Sequence, residues 1–331
     1  MNKTGLSTAI DSRPRRPRLA SLDRLTLGYV TIASAVLIAH FAGWRHARPT
    51  AWETGWLLTA HGLVMALAVL AAIARTRCTT RHSFLAEWYP AIVMAALYSM
   101  VGLLNNGEGG AYVVFDSIVQ RWELAVFGRQ VSYEWIRAMP WPWLSTALHL
   151  SYLSYYPLVI GAPAALWAMG RFAHARQTIF ALSLTFFACY VVFLLFPVAG
   201  PPYDWPYPDN PATQVWAAEL VHRVIDWGDA WGSAFPSSHV AAAVVATWFA
   251  FKGSRTLGWI LLVPTVGIIL AVVYCQIHYG VDALAGLFVG LTLSIATPYL
   301  RTFETDEEIR ATGERRERRR SAARPQESVA S

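Results

Sequence analysis

The long apolar runs of this chain limit its fold more than any other feature. A hydrocarbon layer admits only backbones whose polar groups are all paired internally. Eight runs near residues 25–43, 55–75, 88–104, 144–169, 177–197, 237–252, 257–276 and 280–300 approach the ~20 residues that a crossing helix needs. Composition agrees: 55% of the 331 residues are hydrophobic and 15% are charged, against about 25% charged in a soluble domain. The expected fold is all-α, a polytopic membrane helical bundle of about eight spans. No internal repeat is visible, which argues against a transporter built from duplicated halves.

The formal net charge is +6, but the basic residues crowd into the tails and one set of loops. Arg13, Arg15, Arg16, Arg18 and Arg24 precede the first span, and Arg315 to Arg320 follow the last. Arg75, Arg77 and Arg81, then Arg171 and Arg176, then Lys252 and Arg255 fall on the same side of an eight-span chain, with Arg45 and Arg48 as exceptions. Positive-inside logic places both termini in the cytoplasm and turns the loops 105–143 and 198–236 outward. Basic residues confined to such loops read as topology signals, so no nucleic-acid partner is expected. The Arg-rich residues 1–24 carry no cleavage site, and the first apolar run reads as an uncleaved anchor. Cys78, Cys189 and Cys275 have no metal-ligand spacing and read as core thiols.

Tryptophan marks the outer loops, where amphipathic rings prefer the headgroup layer. Val114, Ile118, Trp122 and Ala125 recur at helical spacing, as do Trp216, Leu220, Val224 and Trp227. Both stretches are expected to be interfacial helices on the outer face.

Polar residues at the outer ends of spans point to chemistry. "FPSSH" places Ser237, Ser238 and His239 at the mouth of the sixth span, and "HYGVD" places His278 and Asp282 at the entry to the eighth. Ionisable groups at membrane depth are costly and mark function by default. The four-residue gap puts His278 and Asp282 on one helical face, where a carboxylate can hold an imidazole nitrogen. A helix N-terminus behind Pro236, with serine caps, offers unpaired amides to a phosphate. Two histidines beside such a seat suggest phosphoryl transfer, one attacking phosphorus and the other protonating the departing oxygen.

These residues resemble the type-2 phosphatidic acid phosphatase superfamily. Its P-S-G-H block is similar to Pro236-Ser237-Ser238-His239, with Ser238 in place of glycine, and its S-R-x5-H-x3-D block keeps His278 and Asp282. Ala271 and Val272 replace its Ser-Arg, and "FPVAGPPYDWPYP" lacks the basic residues of its K-x6-R-P block. The pattern "AFPS-x-H", "HY-x2-D" and "PP-x-Y" is more similar to the inositol phosphorylceramide synthase branch. The resemblance covers residues 88–300 and implies a six-helix phosphatase-like core. It implies His278 as nucleophile, Asp282 as its orienting acid, His239 as acid and base, and Ser237 and Ser238 as phosphate-binding residues. Without the missing cations, either the helix amides carry more of the phosphate charge or an outer-loop Arg121, Arg129, Arg137 or Arg223 swings in, with Arg129 the candidate among them. His149, Tyr152 and Tyr156 share a face of the fourth span and are candidate headgroup-binding residues.

The chain therefore divides into a cytoplasmic basic tail (1–24), two additional spans (25–87), the catalytic core (88–300) and a charged tail (301–331). The expected function is headgroup transfer between membrane lipids through a phosphohistidine at the outer leaflet, with no cofactor and no metal. Hydrolysis of a lipid phosphate uses the same residues and remains an alternative. A proton relay in a transporter is the alternative from another class, although relays usually run through the membrane depth.

Overall fold

The computed structural model describes residues 19–44, 50–77, 84–105 and 114–300. Most of the tail arginines, Arg45, Arg48, Arg81 and Cys78 fall outside them. Among the described residues there are thirteen helices and no strand. In chain order they are α1 (Ser21–Phe41), α2 (Ala51–Arg77), α3 (Phe84–Asn105), α4 (Asp116–Phe127), α5 (Val131–Ala138), α6 (Pro142–Leu153) and α7 (Tyr155–Ala168). There follow α8 (Phe172–Leu195), α9 (Pro201–Asp204), α10 (Trp216–Gly228), α11 (Ser238–Gly253), α12 (Arg255–Tyr274) and α13 (Gly280–Leu300). Six of these, α1, α2, α3, α8, α12 and α13, are long and apolar enough to cross a membrane.

The two other expected spans differ for local reasons. The fourth is α6 and α7, joined through Ser154 alone, which keeps right-handed helical angles of φ −64° and ψ −14°. Pro157 has no N–H to give to Leu153, so the ladder is interrupted there and the chain bends without reversing. The sixth is α11, 16 residues long and capped at both ends by serine. Ser237 accepts the Val240 N–H at 3.4 Å, and Ser254 ends the helix while capping the next.

Helix α11 forms the centre, packed by α7, α8, α12 and α13. Its alanines, including Ala241, Ala242 and Ala243, are fully buried and let neighbouring backbones approach closely. On α13, Gly286 and Gly290 form a G-x-x-x-G face against it. A β-carbon at Gly286 would overlap the Ser237 carbonyl oxygen, and one at Gly290 would lie 2.8 Å from the Ala241 carbonyl oxygen. Helix α1 packs on α2 and α8, and α3 packs on α8.

The segments around α4 and before α11 are tied down by buried carboxylates. On α4 the buried face is Asp116, Val119 and Glu123, while Trp122 is exposed. On α10, Ala217, Val221 and Ile225 face inward and Trp216, Leu220 and Trp227 face out. Of the two rows expected to lie outward, Trp122, Ala125, Trp216, Leu220 and Trp227 are exposed, while Val114, Ile118 and Val224 are half-buried. The Asp116 carboxylate accepts the N–H groups of Ala199 and Gly200, each at 2.8 Å, and the Tyr279 hydroxyl at 3.0 Å. Gly200 has φ +99°, a conformation that favours glycine. A parallel bridge from Val198 to Ser233 joins this turn to the segment before α11. Asp116→Ala strands the Ala199 and Gly200 amides, while the Tyr279 hydroxyl keeps Asp204, and is expected to destabilise the protein by about 2–4 kcal/mol. Thermal unfolding in detergent micelles measures the loss, and Asp116→Asn should recover part of it.

Candidate active site

His239 and His278 reach the same point from different helices. His239 is the second residue of α11; His278 lies in the turn between α12 and α13, whose Gln276 has φ 58°. The backbone N–H of Ser237 donates to the Asp282 carbonyl at 3.0 Å and joins the two segments. The His239 Nδ1 and His278 Nε2 atoms are 3.2 Å apart.

Hydrogen-bond partners assign the tautomers. His278 Nδ1 is 2.8 Å from the Ala234 carbonyl oxygen, which can only accept, so Nδ1 carries the proton. In the neutral ring Nε2 then holds the lone pair. His239 Nδ1 must donate to that lone pair, which leaves His239 Nε2 to accept from the Tyr152 hydroxyl at 3.2 Å. One directed chain runs from tyrosine through both imidazoles to a backbone carbonyl. Burial pushes the His278 imidazole down to about 4, against upward pulls from the Asp229 carboxylate and the Ala234 carbonyl. His278 is thus neutral at pH 7.

The Asp282 carboxylate is a second neighbour of His278, with Oδ2 3.6 Å from Nδ1. Its nearer hydrogen bond accepts the Tyr279 N–H at 2.8 Å. A main-chain oxygen, not the acid expected from the four-residue spacing, takes the ring proton. Ser237 and Ser238 are both buried at the start of α11. Ser237 uses its side chain as the cap, while the Ser238 and His239 amides are first-turn donors without intrahelical acceptors.

Ser238, His239, Tyr152, Tyr156 and Asp229 line one cavity, whose volume is about 650 Å³. His278 lies behind His239 and is 3% exposed. His149 is directed elsewhere: Nδ1 bonds Ser145, and its ring lies 6.1 Å from that of His222 on α10. Tyr152 and Tyr156 line the cavity and His149 does not. Arg129 is also away from the cavity lining, exposed and paired with Glu134 at 3.6 Å. Arg137 reaches the histidine turn instead, donating to Gln276 Oε1 at 2.8 Å and to the Pro206 carbonyl at 2.7 Å. Arg223 pairs with Glu219. Among the described residues, no three His, Cys, Asp or Glu side chains gather as a set that could hold a metal ion.

Two clusters beside the histidines have no counterpart among the sequence candidates. Tyr279 donates from one hydroxyl to Asp116 and to Asp204, the latter at 2.6 Å. Asp229 accepts from Tyr98 at 2.9 Å and from Tyr203 at 3.3 Å. The sequence signal for both was an acidic outer face adjoining tyrosines at span ends. Tyr152→Phe removes the donor to His239 and is expected to lower kcat about fivefold, the effect of one net hydrogen bond, with KM little changed in steady-state assays.

A family model described as the PAP2 superfamily matches residues 119–296, over half of the chain, from within α4 to within α13. No curated protein and no solved structure matches the chain.

Proposed function

This chain belongs to the PAP2 superfamily, and from that membership, which supports a membrane enzyme of the lipid phosphatase or phosphotransferase type, we propose headgroup transfer through a phosphohistidine on His278. The observation that carries the proposal is the 3.2 Å pair of imidazoles, one offering a lone pair and the other a proton. Phosphorus must come within ~3–3.5 Å of the attacking nitrogen, which is the place His239 Nδ1 takes in the free protein. Entry of the phosphate therefore turns the His239 ring aside, and the anion favours its doubly protonated form.

His278 Nε2 attacks, a P–N bond forms, and the P–O bond to the lipid alcohol breaks as His239 Nδ1 protonates that oxygen. The phosphorylated ring is cationic and retains its Nδ1 proton, now held by the Ala234 carbonyl with Asp282 at 3.6 Å. Neutral His239 then takes the proton of an incoming hydroxyl as it attacks phosphorus, and His278 is released. The first amides of α11 and the Ser237–Ser238 segment hold the non-bridging oxygens. Tyr98 and Tyr203, gathered on the Asp229 carboxylate, form a hydroxyl and carboxylate cluster suited to a polyol headgroup, which favours the inositol phosphorylceramide synthase-like branch over simple hydrolysis. Arg171, Arg176, Lys252 and Arg255 lie at the bundle end opposite the histidines, which supports an outer-leaflet site with both termini cytoplasmic. The described part of the proposed core is α3 to α13, with α1 and α2 as additional spans.

Phospholipid labelled in its headgroup phosphate should give an acid-labile, alkali-stable phosphoprotein, and new headgroup-bearing lipid once an acceptor lipid alcohol is added. Turnover without phosphoprotein at any quench time would overturn the mechanism, and free headgroup phosphate as sole product would favour hydrolysis. With a phosphodiester substrate, which does not titrate in this range, the acid limb of kcat/KM should fall near pH 4. The neutral ring is the active form, so activity is retained as pH drops from 7 and lost only through that value. An acid limb near 6.5 would show that His278 is not held neutral. Asp229→Asn removes an upward pull and should move the limb lower still.

A further inference from the structure

Helices α3 and α7 both pack on α8 but not closely on each other, and the cavity at the histidines continues into the space between them. It follows three paths of equal length: Ser99 to Trp88 along α3, Tyr152 to Pro163 through α6 and α7, and Tyr190 to Ile179 along α8. Each covers twelve residues, or eleven rises, ~17 Å at the rise of an α-helix. One leaflet is half of a ~30 Å hydrocarbon core, ~15 Å. Beyond the tyrosines the lining becomes apolar, with Met94, Leu182 and Phe186 on the inner wall. Trp88 stands at the far end with Trp167 behind it, the rings edge to face at 6.3 Å. Ala95 on α3 and Ile160 on α7 are lining residues that are also exposed, so the space opens sideways between those helices.

We propose that this groove seats one hydrocarbon tail of the lipid substrate, and that Trp88 sets the longest tail it accepts. The polar end at His239 and Asp229 takes the headgroup, so the inference rests on the proposed chemistry for the head while shape and polarity alone assign the tail. The α3 wall lies before residues 119–296, in a part of the chain that the family model does not describe. The length limit at Trp88 therefore comes from outside the matched region, while the α7 and α8 walls lie within it.

Two photoreactive lysophosphatidates test the tail position, one with a diazirine at the tail end and one with it beside the glycerol. The tail-end probe should label the segments bearing Trp88 and Ile179; the glycerol-end probe should label those bearing Tyr98 and Tyr152. Competition by lysophosphatidates of stepped tail length then measures the limit. Trp88→Ala should move the preferred length upward, gaining roughly fourfold in apparent affinity per additional methylene buried. Ala91→Phe, one turn nearer the head, should move it downward by a similar step. Tail-end label spread over the lipid-facing residues of α12 and α13 would overturn the proposal, as would a length preference unmoved in both variants. Label at Trp88 in a protein that turns over no lipid phosphate would support the groove and sink the chemistry instead.

Discussion

Replacing His278 by alanine is expected to lower turnover of a phospholipid by at least about 10⁴-fold, the scale of losing a nucleophile, and to abolish the acid-labile phosphoprotein. In the free protein Nε2 of His278 is the lone pair facing His239, because Nδ1 is committed to the Ala234 carbonyl. His239 is no substitute: its Nδ1 is the donating atom and its Nε2 faces Tyr152. His239→Ala should differ in kind, slowing both half-reactions by roughly 10²–10⁴-fold while still permitting phosphoprotein to form at long times. Rapid-quench trapping separates the two outcomes. Label that persists in His278→Ala would remove the nucleophile assignment.

Gly286→Ala is expected to reduce kcat by on the order of 10²-fold, the effect of displacing reacting groups by about 1 Å. The added methyl would overlap the carbonyl oxygen of Ser237, the cap residue immediately before Ser238 and His239. Ser237 also donates its N–H to Asp282, so the displaced backbone carries both sides of the site with it. Overpacking should cost about 1–3 kcal/mol of stability as well. Gly290→Ala is the control, since its methyl would meet the Ala241 carbonyl one turn farther from the histidines at 2.8 Å. It should show a similar stability loss with a much smaller fall in kcat. Equal kcat losses in the two variants would show that general destabilisation, and not displacement of the α11 terminus, is responsible.

Much of the architecture was legible because hydropathy reports the solvent that a helix meets. Bend and length were less so: Pro157 sits within an unbroken apolar run, and α11 is shorter than a usual span because serine caps close both its ends. The histidines stood out because ionisable groups where an apolar run begins are costly at membrane depth. Their detailed wiring did not, since the Ala234 carbonyl that receives the His278 proton has no side-chain signature. Apolar spacing on α4 located the outward stripe and passed over Asp116 and Glu123, whose burial depends on backbone amides from distant loops. The G-x-x-x-G pair on α13 emerged only from the packing, as the face that meets the Ser237 and Ala241 carbonyls. Arg129 and Arg137 were indistinguishable by position, and only the turn at Gln276 separates them.

The bond from the Ser237 amide to the Asp282 carbonyl has an evolutionary corollary. Neither partner belongs to a side chain, so substitutions at Ser237 or Asp282 themselves keep both bonding atoms, and the ring spacing is open to mutation chiefly through residues that press on this backbone, as Gly286 does. The proposed tail groove, by contrast, is walled by side chains such as Trp88 and Phe186, which substitution changes directly. On that proposal, diversification of diet with reaction geometry held constant is the drift such an enzyme would undergo most readily.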